Sequence, residues 1–132
     1  MSNKEIRYIR DIKELYNFNY INSTPLHMSI IDITTNKLIV TNDKYVYLIK
    51  GLIKHIVDEM QTMCNNTLTQ REKINITKLN CHTNYNLIKE KGYYHIAGVN
   101  LYIQIKDANE SMKEIIRLSD RYKYDLHLVI KL

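Results

Sequence analysis

A chain of 132 residues with 45% hydrophobic and 25% charged side chains has the size and apolar content of one self-sufficient globular domain. Its 20 isoleucines and 11 tyrosines exclude intrinsic disorder, which goes with a poverty of branched and aromatic residues. The formal charge of +5 permits nucleic-acid or acidic-protein partners by long-range attraction but does not require them, because Lys outnumbers Arg 14 to 5 and base readers favour the bidentate Arg fork.

The chain opens on Ser2-Asn3-Lys4-Glu5, the pattern of a capping box, with the Ser hydroxyl set for a backbone N–H and Glu reaching back. Ile6, Ile9, Ile12 or Lys13, and Tyr16 follow at helical spacing, which predicts a helix over 3–16. Positions 17–24 read as a polar, Asn-rich loop closed by Pro25. A strand over 26–33, a turn at Thr34-Thr35-Asn36 and a return strand over 37–41 come next. Asn42 or Asp43 supplies a cap for the longest helix, 44–64. There Tyr45, Leu48, Ile49, Leu52, Ile53, Ile56, Val57, Met60 and Met63 recur every three or four residues, with Gly51 as a close-packing point. After a loop over 65–70, alternation around Ile74 and Ile76 predicts a strand over 73–79. Positions 80–92 are ambiguous, with room for one short helix over 85–91 ended by Gly92. Residues 93–106 form one or two strands, interrupted at Ala97-Gly98. Asp107-Ala108-Asn109-Glu110 caps a helix carrying Met112, Ile115, Ile116 and Leu118. The last segment alternates most cleanly, with Tyr122, Tyr124, Leu126, Leu128 and Ile130 on one face and Lys123, Asp125, His127, Val129 and Lys131 on the other.

These elements predict a single α+β domain over 1–132, with a mixed, mostly antiparallel sheet of five to six strands and two to three helices on one face. The strand–strand–helix–strand order of 26–79 is repeated over 93–130, which is compatible with a duplicated ββαβ unit, although no residue-level similarity links the halves.

The residues that carry chemistry are scattered. Cys64 and Cys81 are not in a CxxC pair, cannot close a zinc site alone, and both end apolar segments, where Cys is ordinarily a small core residue. His27, His55, His82, His95 and His127 lack the spacing of paired ligands; Cys81-His82 comes nearest, and adjacent strand residues point to opposite faces. Glu90 followed by Gln104-Ile105-Lys106 approximates the acid and acid-x-Lys pattern of metal-dependent nucleases, but Gln is a weak metal ligand, and alternation makes Gln104 and Lys106 the solvent face of a strand. Gly51, Gly92 and Gly98 stand apart, so no glycine-rich loop cradles a phosphate. No catalytic residue, metal or cofactor is expected. Asn3, Lys4, Glu5, Arg7 and Arg10 interrupt any apolar leader, and no run reaches the roughly 20 apolar residues of a membrane span, so a cytoplasmic protein with reduced cysteines and no membrane partner is expected. The triplets Asn22-Ser23-Thr24, Asn65-Asn66-Thr67 and Asn75-Ile76-Thr77 then reflect only the abundance of Asn and Thr.

Two surfaces remain. Lys89-Glu90-Lys91-Gly92-Tyr93-Tyr94-His95 is a basic turn leading into paired aromatics, a composition that suits a protein interface or a stacking platform, or else an ordinary turn before a strand with one Tyr inward. Lys89, Lys91, Tyr93 and Tyr94 are therefore the candidate partner-binding residues. Lys44, Lys50 and Lys54 offer phosphate contacts, or a solvated helix face with Asp58 as partner to Lys54. Asn, Ile, Lys and Tyr make up 59 of the 132 residues and all have A/T-rich codons. A small, Tyr-rich chain without a visible reaction centre reads as a non-enzymatic binding protein of a phage, virus or mobile element with an A/T-rich genome, occupying a host protein or nucleoprotein complex in the manner of an inhibitor of host defence. The alternative is a small nucleic-acid-binding or replication-accessory protein, and a nuclease comes third. A homodimer is compatible with either of the first two.

Overall fold

The structure, a computed structural model, describes residues 5–42 and 44–132. Strand β1 spans Ile6–Ile9, helix α1 Ile12–Asn17, strands β2 and β3 Thr24–Asp32 and Leu38–Asn42, and helices α2 and α3 Tyr45–Cys64 and Gln70–Ile74. Strand β4 (Cys81–His82), a single 3-10 turn (Tyr85–Leu87), strands β5 (Tyr93–Ile96) and β6 (Leu101–Gln104), helix α4 (Ala108–Arg121) and strand β7 (Tyr124–Lys131) complete the order. The strands form two wholly antiparallel sheets, β1-β7-β2-β3 and β4-β6-β5.

The class is α+β, but the strands divide into sheets of four and three instead of one sheet of five to six, and there are four α-helices among the described residues. The suggested ββαβ duplication is absent, because β7 pairs with β1 and β2 while the β5–β6 hairpin belongs to the other sheet. In β7 the alternation works as expected: Tyr124, Leu126, Leu128 and Ile130 are buried, while Asp125, His127 and Val129 are half-buried and Lys131 is exposed. Helix α4 packs on β7, and α2 contacts α4, β2 and β3 of the first sheet and β5 of the second. One hydrophobic cluster therefore joins Leu48 and Leu52 of α2 and Met112 and Ile115 of α4 to Met28 and Leu128 on one side and Ile96, Leu101 and Ile103 on the other. Gly51 permits the close approach of α2 to β3, since a Cβ there would lie 2.6 Å from Val40 Cγ2.

Three expectations are corrected. In place of a helix over 3–16 there is a strand and then a one-and-a-half-turn helix. Residues 6–9 are three-quarters Ile and Tyr, good strand formers, and they satisfy the otherwise bare edge of β7, pairing Ile6 with Lys131 and Ile9 with Leu128. The cap is Asp11, whose carboxylate accepts the Glu14 N–H at 3.0 Å; Ser2, Asn3 and Lys4 of the expected capping box lie outside the described residues. In place of a strand over 73–79, Thr69 and Glu72 form a reciprocal capping box that starts α3, and Ile76 and Leu79 are buried from an irregular segment instead of a ladder. In place of a helix over 85–91 there is only the turn at Tyr85–Leu87, held by the Asn84 side chain accepting the Asn86 N–H, and Gly92 follows at φ +86°. Asp107 caps α4 as expected, accepting the Glu110 N–H at 2.8 Å. Of the expected Asn42-Asp43 cap, Asp43 lies outside the described residues, and the cap position of α2 is Lys44.

Candidate functional site

The second sheet is small and has two unlike faces. Register places Leu101 opposite Ile96 and Ile103 opposite both Cys81 and Tyr94, and Ile96, Leu101 and Ile103 are buried in the core. The intervening positions point the other way, so His82, Tyr102 and His95 stand in one row across β4, β6 and β5. The His95 and Tyr102 rings stack, with centroids 4.5 Å apart and planes at 25°. Tyr85, projecting from the 3-10 turn, lies 5.7 Å from Tyr102, and Tyr93 lies 5.6 Å from His82. Tyr85 is 68% exposed, His95 is exposed, and His82, Tyr93 and Tyr102 are half-buried. The next row, Tyr93 and Gln104, is fixed by the Gln104 side chain, which accepts from the Asn80 amide at 3.0 Å and donates to the Lys91 carbonyl at 3.1 Å. Five rings thus share one face of the small sheet, in two contacting groups, Tyr85–Tyr102–His95 and His82–Tyr93.

Of the residues singled out in the sequence, Lys89 and Lys91 are exposed in the turn that enters β5. Tyr93 and Tyr94 do point to opposite faces, but neither belongs to the core. Tyr93 joins the aromatic face. Tyr94, 39% exposed, opens instead into a cleft of about 720 Å³ that it shares with Tyr20, Tyr45 and Tyr47. The hydroxyls deep in that cleft are committed: Tyr20 Oη donates to the Leu15 carbonyl at 2.5 Å, and Tyr45 Oη lies 2.6 Å from Ser23 Oγ. Burial pushes the Tyr20 phenol well above its ordinary pKa, helped by Tyr45 and Glu14, and burial also raises Tyr45 against the opposing Ser23 hydrogen bond. Both remain neutral and serve packing. The sequence reading missed Tyr85 and Tyr102. The period-two alternation of Leu101 to Gln104 was the available signal for Tyr102, and it was spent on Gln104 and Lys106 as a solvent face.

The other candidates dissolve into structure. Lys54 pairs with Asp58 at 2.8 Å, and the Lys44 and Lys50 ammoniums lie 5.5 and 5.4 Å from the Tyr47 ring. Gln104, the nuclease-like position, is engaged by Asn80 and Lys91. Both cysteines are free; Cys81 is half-buried, its thiol pKa raised by burial, but Cys64, expected in the core, is exposed in the last turn of α2. Among the described residues no three His, Cys, Asp or Glu side chains converge as metal ligands, and no helix is long and apolar enough to cross a membrane.

Comparison with protein-family models, curated proteins and solved structures finds no match.

One buried carboxylate stands out on geometry. Glu114 of α4 accepts hydrogen bonds from Thr77 Oγ1, from the Lys78 N–H at 2.8 Å and from Arg117 Nε at 2.6 Å, and Arg117 also donates to the Ile76 carbonyl at 3.0 Å. Burial alone would raise its pKa; the hydrogen bonds from Arg117, Thr77 and Lys78, with the Arg117 charge, outweigh burial and hold it below the ordinary carboxylate value. A carboxylate so fully engaged and so acidic ties residues 76–78 to α4 and is poorly suited to exchange protons near neutrality.

Proposed function

We propose that this protein works by binding and not by turnover, occupying a host protein or nucleoprotein complex through the aromatic face of β4-β6-β5. The row His82–Tyr102–His95, extended by Tyr85 and Tyr93, is the observation that carries the reading. Tyr and His present large, rigid, amphipathic contact area, and rings held out of the core on a sheet scaffold are pre-organised for a partner at little entropic cost. Lys89 and Lys91 border this face, and Tyr93 lies within it. The A/T-rich residue usage supports a phage, virus or mobile element as the source; the cytoplasm as the place of action and a host defence complex as the target are part of the proposal.

The test is capture from the lysate of an A/T-rich host by the tagged protein, with the melting temperature as a control for folding. Tyr85→Ala and His95→Ala remove exposed rings, so each is expected to leave the melting temperature near wild type while weakening capture by about 2 kcal/mol or more. Undiminished capture by both variants would place the functional surface elsewhere.

A further inference from the structure

Resting on that reading, we infer that what the aromatic face holds is single-stranded nucleic acid. Two rows of the sheet do different chemistry. Across the middle lie the rings, with the near-parallel His95–Tyr102 pair at the centre and the 68% exposed Tyr85 beside it. At one end lie cations. β5 begins, and β6 ends, on the side of Gln104, so the exposed Lys91 enters the sheet at this end, with the exposed Lys89 two residues beyond it; Lys106, at the same end, lines the Tyr94 cleft on the opposite face, and Lys78 lies beside Glu114 and Arg117 of α4. The carboxylates at that end are Glu90, Asp107 and Glu110, and two of them are committed to the start of α4: Asp107 accepts the Glu110 N–H, and Glu110 accepts the Lys106 N–H at 3.1 Å.

A polyanion carrying flat apolar rings matches both rows at once. Bases stack on exposed aromatic faces without regard to sequence, and lysines follow the phosphates as point charges. The strand must be single, because a duplex keeps its base faces against one another. A peptide added to the sheet edge fits less well, since β-augmentation needs a long free edge, and the edge strands here have two and four residues.

The test uses the full chain and labelled homopolymers of thymidine and of uridine, with a mixed-sequence duplex of equal length, followed by fluorescence anisotropy over a salt series. Expected is binding of single strands at least tenfold tighter than of duplex. Tyr85→Ala and His95→Ala should each weaken it about tenfold, and Tyr85→Phe, which keeps the stacking ring, should restore it. Lys91→Ala should make the dependence of log affinity on log salt shallower by about 0.7, one phosphate contact on a single strand. The deoxy and ribo arms decide whether DNA or RNA is preferred. Absence of single-strand binding at low salt, equal binding of duplex, or indifference to both ring substitutions would overturn the inference. Capture of a partner from nuclease-treated lysate, lost in Tyr85→Ala while no oligonucleotide binds, would overturn it and leave the surface reading standing; failure of capture and oligonucleotide binding alike would remove both.

Discussion

Glu114 carries a charge into a site 4% exposed, and such a charge is tolerated only because every lone-pair direction it uses finds a donor. Glu114→Gln keeps the shape but leaves the Arg117 guanidinium without its counter-charge. We expect a loss of about 3 kcal/mol at pH 7, the lower end for a broken buried pair, because Arg117 still reaches water. The pH dependence has a definite sign. The folded-state pKa lies below the unfolded value, so the carboxylate contributes stability above the unfolded pKa of roughly 4.3, and that contribution is lost as pH falls through the folded value. Urea midpoints of wild type and Glu114→Gln should therefore differ at pH 7 and converge at acid pH; a constant gap would refute the linkage. None of this was legible beforehand, because Glu114 sits in an ordinary charged stretch of helix and its partners Thr77 and Lys78 come from 36 residues away and more. Tyr20 was hidden in the same way. Its Asn-rich surroundings read as loop, yet Asn109 accepts its backbone N–H at 2.6 Å and its ring is buried. The candidate site was half legible: local composition brought out Lys89, Lys91, Tyr93 and Tyr94, but the sharing of one face by Tyr93 and Tyr102 depends on strand register, which composition does not carry.

At the level of elements, legibility followed length. α2, α4 and β7 have periodicity sustained over 20, 14 and 8 residues, and each formed with bounds within a few residues of expectation. β1 and α3, of four and five residues, were misread because a short window satisfies helix and strand templates equally, and pairing with β7 or a capping box then decides. Gly51 is where sequence pattern and packing agree. Alanine would ordinarily favour a helix interior over glycine by about 1 kcal/mol. Here its Cβ would press on the stiff, β-branched Val40, so Gly51→Ala should destabilise by about 1–3 kcal/mol as an overpacked contact between α2 and β3. The double mutant Gly51→Ala, Val40→Ala separates the two causes. If the clash is responsible, the penalty of Gly51→Ala should largely vanish in the Val40→Ala background, and thermal melts of the four proteins in the cycle would expose simple additivity.

The whole molecule poses a question that its strand count left open: whether two sheets mean two folding units. Their strands share no ladder, and the second sheet has only ten residues in its strands. A three-stranded sheet with a two-residue edge buries too little to stand alone, and here its inner face is completed by α2 and α4 through the same cluster that covers β2 and β7. The aromatic face is consequently rigid only so long as the large sheet and its helices are intact, which couples the site to global stability. Leu101, fully buried at the start of β6, tests this coupling. Leu101→Ala should cost about 2–5 kcal/mol through the cavity it leaves. If the molecule unfolds as one unit, urea transitions followed by far-ultraviolet circular dichroism and by tyrosine fluorescence should remain coincident in the variant and shift together to lower urea. Amide hydrogen exchange supplies the local view, with protection of β7 falling by the same free energy as protection of β6. A variant in which β6 exchanges freely while β7 keeps wild-type protection would mean that the small sheet opens by itself, and that its aromatic face is carried on a separately folding flap.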